Sequence, residues 1–170
     1  NVIPPRGFLA LEIGCVVTLL PEREMRERFA DRRFGYQVIS FLDYSQNPYR
    51  AESDSIIRKW NLGVTENDRG EYRKGKLVDP AHPVVFYIDT CCPAEFVPYI
   101  KEGVLAWNAA FEKAGFKNAL RVKMADSKTV LEEQRAVIAY DLHEAGIRTG
   151  YTFHPKTGEI LSCRVNIGHG

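Results

Sequence analysis

The stretch PVVFYIDTCCPAEFVPYIKEGVLAWNAAFEKAG, Pro83 to Gly115, decides the fold. Pro83 to Asp89 is a short continuous apolar run, the pattern of a buried strand. Beyond it Ile100, Val104, Trp107, Phe111 and Ala114 recur at i, i+4, i+7, i+11 and i+14, which is one face of an amphipathic helix. Pro93 or Pro98 suits the first turn of that helix, and Gly115 suits its C-terminal cap.

Downstream, ALRVKM (119–124) and AVIAYDL (136–142) read as two further strands. GEILSCRVNIG (158–168) reads as a third, with Ile160, Ser162, Arg164 and Asn166 on one face and Leu161, Cys163, Val165 and Ile167 on the other. Strand, long helix and three more strands imply an α+β fold, a mixed β-sheet under one long amphipathic helix.

Upstream the reading is β-rich. Gly7 to Pro21 is apolar and β-branched and reads as a strand or strand pair stopped by Pro21. Glu22 to Arg33 reads as a short helix or an exposed connector. Its interleaved Glu22, Glu24, Glu27 and Asp31 favour a solvated face over a nucleic-acid patch. Phe34 to Tyr44 reads as a strand, Asn47-Pro48 marks a turn, and Ser55 to Val64 reads as the returning strand. A polar loop with short helical character follows, containing His82 between two prolines. The chain thus divides into a β-rich segment, 1–79, and a sheet-and-helix segment, 80–170.

Composition bounds the function. The chain has 170 residues, 45% hydrophobic and 26% charged, enough for a real core. The formal net charge of +1 gives no strong field toward nucleic acid or an anionic membrane. No apolar run is long enough to span a membrane. Cys15, Cys91, Cys92 and Cys163 form no CxxC pair and read as free or partly buried thiols. The start, NVIPPRGF, lacks an initiator Met and a leader pattern, which suggests a processed chain or an excised piece.

The main chemical question is DLHEAGIRTGYTFHP, Asp141 to Pro155. His143, Glu144 and Gly150 fall on the metzincin pattern HExxHxxGxxH, but Ile147 occupies the second ligand position and Phe153 the third, with His154 one place late. Such a site needs two imidazoles one helical turn apart. Gly146, Thr149, Gly150, Tyr151 and Thr152 make a poor helix interior, and Ile147 cannot bind a metal, so the stretch reads as a strand end at Asp141 or Leu142 followed by a turn. His154, His169 and Cys163 are a second candidate ligand set, with surface histidines as the plainer reading. Asp89 and Asp141 end strands, where carboxylates more often form turns than catalyse. There is no Gly-rich phosphate loop and no GxSxG.

LPEREMRERFADRRFGYQVISFLDY, SIIRKWNL, GKLVDPAHPVVFYID, VPYIKEGVLAWNAAFEKAGFKNAL and HPKTGEILSCRVNIGHG together resemble the zincin-class zinc-dependent metalloproteases of Bacteroidetes and related bacteria. These are large exported proteins known mainly as domains of unknown function. The resemblance runs from about Leu20 to Gly170, and Ala125 to Gln134 matches poorly. It implies that 80–170 is the upper half of a zincin-like catalytic domain, that the turn at HPKTGEI leads into the strand nearest the cleft, and that the HExxH helix follows that strand.

By that alignment no catalytic or metal-binding residue carries over, and this chain holds no cofactor. Zinc, with a Glu-activated water, is expected in the complete protein. The resemblance also implies a periplasmic, cell-surface or secreted location. The implied partners are a peptide or protein substrate and the rest of the catalytic domain. Leu161, Ser162, Cys163, Arg164, Val165 and Asn166 are the expected substrate-aligning edge, pairing with an extended peptide. A non-enzymatic binding or scaffolding module is the alternative.

Overall fold

The computed structural model describes residues 17, 19–22, 24–31, 33–45, 47–126, 136–142 and 145–168. The expected strand at Gly7 to Pro21 falls largely outside them, as do Cys15, His143, Glu144, His169 and most of Ala125 to Gln134.

The fold is α+β. An antiparallel hairpin, β1 (Val38–Asp43) and β2 (Glu52–Ile57), precedes a short helix α1 (Arg69–Arg73). Then come β3 (Val84–Ile88), α2 (Val97–Ala106), α3 (Asn108–Lys113), β4 (Leu120–Met124), β5 (Ala136–Asp141), β6 (Ile147–Phe153) and β7 (Ile160–Gly168). The last five strands form one mixed sheet in the order β4-β3-β5-β7-β6. Four strands run parallel and β6 alone runs antiparallel, at the edge.

The parallel strands are apolar because both faces are covered. Ala136, Val137, Ile138 and Ala139 of β5 are all buried, as are Val84, Tyr87 and Ile88 of β3. Val84, Leu120, Ala136 and Cys163 form the central cluster, and Val104 and Phe111 pack on it from the helices.

The long helix forms with one interruption, at Trp107. Pro98 lies in its first turn, where a missing N–H costs nothing. Gly115 ends it at φ +93°, and the Phe116 N–H bonds back to the Phe111 carbonyl at 2.9 Å, a left-handed cap that satisfies a terminal carbonyl. Ile100, Val104 and Phe111 lie half-buried, whereas Trp107 is 66% exposed and Ala114 is exposed. Asn108 takes the inward place beside Trp107. Its amide donates to the Leu120 carbonyl at 3.0 Å and accepts the Leu120 N–H at 2.8 Å, clamping the start of β4 to the helix.

In the first part of the chain the described residues between Glu22 and Arg33 form a connector and not a helix. Ala30 N–H donates to Ser55 O at 2.8 Å and Ile57 N–H to Arg28 O at 2.8 Å, so this segment lines the side of β2 away from β1. Ile56 and Ile57 are buried between these neighbours.

The segment 58–60 then joins the larger sheet. Lys59 N–H donates to Gly158 O at 3.0 Å, and Ile160 N–H donates to Lys59 O at 2.9 Å. Gly158 is required there. Its φ is +72°, and a Cβ on it would lie 2.3 Å from the Ile57 carbonyl oxygen.

Candidate functional site

The expected edge strand is not the edge. Leu161, Ser162, Cys163, Arg164, Val165 and Asn166 lie in β7, which pairs with β5 on one side and β6 on the other. Both of its backbone rims are occupied, so it cannot align a peptide. Its alternation of small, polar and apolar residues reflects a strand with a different layer on each face. Cys163 faces the core and is 5% exposed, while Arg164 is exposed and its Nε donates to Asn166 Oδ1 at 3.1 Å. Burial pushes the Cys163 thiol upward, only partly offset by a hydrogen bond from Tyr151, so it stays a protonated core residue.

The edge next to β7 is β6, within the stretch that resembled HExxH, and β4 is the opposite edge. β5 ends at Asp141 and the chain turns at Gly146, as expected, but residues 147–153 then form a further strand. Gly146, at φ +79°, reverses the chain, and its carbonyl accepts the Gly168 N–H at 2.6 Å. Thr149, Tyr151, Thr152 and Phe153 then supply the β-branched and aromatic side chains that suit a pleated surface. The strand pairs with β7 from Ile147↔Ile167 to Phe153↔Ile160, with a register shift between Thr152 and Phe153.

Antiparallel ladders bond inward at alternate residues. Because Gly146 bonds to Gly168, the outward backbone groups of β6 fall at Ile147, Thr149 and Tyr151. Ile147 is 71% exposed, and residues 147–150 all lie open.

A charged group covers the far end of this strand. Arg58 Cζ sits 5.6 Å from the Tyr151 ring centroid and 5.7 Å from that of Phe153, within cation–π range of both. Its Nε is buried and, among the described residues, has no hydrogen-bond partner.

The turn 154–159 is tied to the first part of the chain. His154 is 3% exposed, and its Nδ1 accepts the Lys156 N–H at 3.2 Å. Its Nε2 lies 3.9 Å from Glu24 Oε1, and Lys156 Nζ reaches the same carboxylate at 2.9 Å. The hydrogen bond from the Lys156 ammonium holds the Glu24 carboxyl below its usual range, and the same bond raises Lys156. His154 is therefore held in the turn through Nδ1, with Glu24 near its other ring nitrogen.

Among the described residues no three of His, Cys, Asp and Glu converge as a metal site. Cys91 is exposed, and Cys92 and Cys163 are buried, all as free thiols. Asp89 acts as a turn former, with Oδ1 accepting the Cys91 N–H at 3.4 Å.

Residues 6–65 match a domain of unknown function, DUF5117. The match takes in β1, β2, the connector before them and Arg58 and Lys59, and stops before the five-stranded sheet. Its description names no activity. No curated protein and no solved structure matches the chain.

The sequence signal that could have found β6 was its run of Thr, Tyr, Thr and Phe. The glycines at 146 and 150 and the likeness to a zinc helix pointed elsewhere. Arg58 gave no signal at all, because its role depends on a contact nearly a hundred residues away in sequence.

Proposed function

We propose that this chain is a non-catalytic part of a zinc metallopeptidase, and that β6 supplies the rim along which an extended peptide is held. The observation that carries this reading is the single-sided pairing of β6, the antiparallel strand at one of the two edges of the sheet, with residues 147–150 exposed. An open antiparallel edge gives a peptide backbone donors and acceptors, and alternate side chains of the peptide then meet the two faces. Tyr151, Phe153 and Arg58 are the side chains a guest would meet on one face. The order strand, helix, strands also agrees with the arrangement the family resemblance implies for the upper half of a zincin-like domain. The described residues do not supply a zinc site, so no chemical step is assigned to them. Zinc, the remainder of the catalytic domain and an exported location belong to the proposal through the resemblance alone.

The test is a titration of the isotopically labelled chain with short extended peptides, followed by amide shifts. Shifts along 147–153, lost in Thr149→Pro, support the reading. A response confined to other strands, or none at all, overturns it. Stoichiometric zinc in the purified chain, with peptidase activity lost on chelation, would contradict the non-catalytic assignment.

A further inference from the structure

The connector before β1 carries a feature that peptide alignment does not use. Arg26, Glu27, Arg28 and Phe29, together with Lys59, line a cleft of about 430 Å³. Arg26 and Arg28 are two apart on an extended segment and so point the same way. The Arg28 carbonyl accepts the Ile57 N–H, which places Lys59 two residues along β2's continuation from that bond. Three cations therefore face one cleft.

Two comparisons show that this is a local feature. Arg33, Arg50 and Arg69 each pair with a carboxylate nearby, whereas Arg26, Arg28 and Lys59 make no ion pair among the described residues. The chain as a whole carries a formal net charge of only +1, so the cluster is not the overflow of a basic protein. The acids at hand are Glu27, on the cleft itself, and Glu159, which pairs with Lys59 by a β-bridge. Burial, then the neighbouring Arg28 and Arg26 guanidiniums, hold the Lys59 ammonium below the ordinary lysine range, with Glu159 opposing. Three cations, one of them half-buried beside the Phe29 ring, thus stand against two carboxylates, Glu27 and Glu159, and the cleft keeps an excess of positive charge.

We propose that this cleft is a binding site for a small multivalent oxyanion, a phosphate or a di- or tricarboxylate. Guanidinium forks bind such groups bidentately, and the ammonium adds a point charge. An anion there would relieve the repulsion among the three cations. The site is independent of peptide alignment at β6, since the variants that test it, at Arg26, Arg28 and Lys59, lie outside that strand.

The experiment is calorimetric titration of the chain with inorganic phosphate and, separately, with tricarballylate at low ionic strength. Saturable binding of either probe is expected, weakened at least tenfold in R26Q/R28Q and in K59Q but unchanged in K101Q, a lysine on α2. Tighter phosphate binding identifies a phosphate-bearing ligand, and tighter tricarballylate binding a carboxylate one. Absence of saturation with both probes at millimolar concentration overturns the proposal, as does binding that survives R26Q/R28Q unchanged. Both arginines are exposed, so that double variant keeps its fold even if K59Q does not.

Discussion

β6 and β7 are neighbours in sequence and in space, yet they meet opposite demands. β7 has a strand on each side and gives one face to the core through Cys163. β6 has one neighbour and leaves half its backbone groups to solvent. The difference teaches that position in the sheet, more than residue content, sets what a strand can do. The family resemblance made β7 the expected edge, whereas its exposed Arg164 is accessible only on a face. Function of the kind proposed needs an accessible rim.

The largest expected effect comes from placing proline in both strands. Arg164→Pro removes a ladder donor in an internal strand and should cost about 3 kcal/mol or more in urea unfolding. Thr149→Pro removes an outward N–H from an edge and should cost less than about 1 kcal/mol. Equal losses from the two would abolish the distinction drawn between them.

Gly158→Ala comes next. Its Cβ meets the Ile57 carbonyl at a position of positive φ, so a loss of about 2–3 kcal/mol is expected. Hydrogen exchange should speed up in β2 as well as in β6 and β7. Exchange that changes in β6 and β7 alone would mean that the turn is not bound to the hairpin.

Arg58→Ala should cost about 0.5–1 kcal/mol through its contacts with Tyr151 and Phe153. Thermal melts of Arg58→Ala, Tyr151→Leu and the double variant separate this coupling from a simple loss of packing, and additive losses would mean that Arg58 and Tyr151 do not interact.

The smallest effect concerns acid. A carboxyl whose folded-state pKa is depressed, as that of Glu24 is by Lys156, stabilises fully above the ordinary carboxylate pKa. That contribution is lost as pH falls through the depressed value. Melting temperature should therefore decline below about pH 4, with a shallower slope in Glu24→Gln. Identical slopes in the two proteins would remove Glu24 from the account.

The five-stranded sheet was legible wherever burial imposes a pattern. Val84 to Ile88 and Ala136 to Ala139 are continuous apolar runs because both faces are covered, and the helix revealed itself by Ile100, Val104 and Phe111. Trp107 misled because it falls on the apolar period of the helix, yet it is 66% exposed at the interruption between α2 and α3. Asn108 does the inward work through two hydrogen bonds, which a hydrophobic period does not register. The edge strand was hidden for the complementary reason: an exposed strand is under little pressure to alternate. The candidate site depends on exposure and on contacts distant in sequence, such as Arg58 on Tyr151 and Glu24 on Lys156, and these leave no local periodicity.

The open rim of β6 has one more consequence. A rim that can receive a guest strand can also receive the same strand from another copy, and such pairing can nucleate aggregation. Arg148 is the single charged residue between Ile147 and Phe153, so it is the natural guard against self-association on this face. Replacing it by valine would leave seven uncharged residues along an edge that Arg58 covers at one end only, and solubility, more than folding, would register the loss.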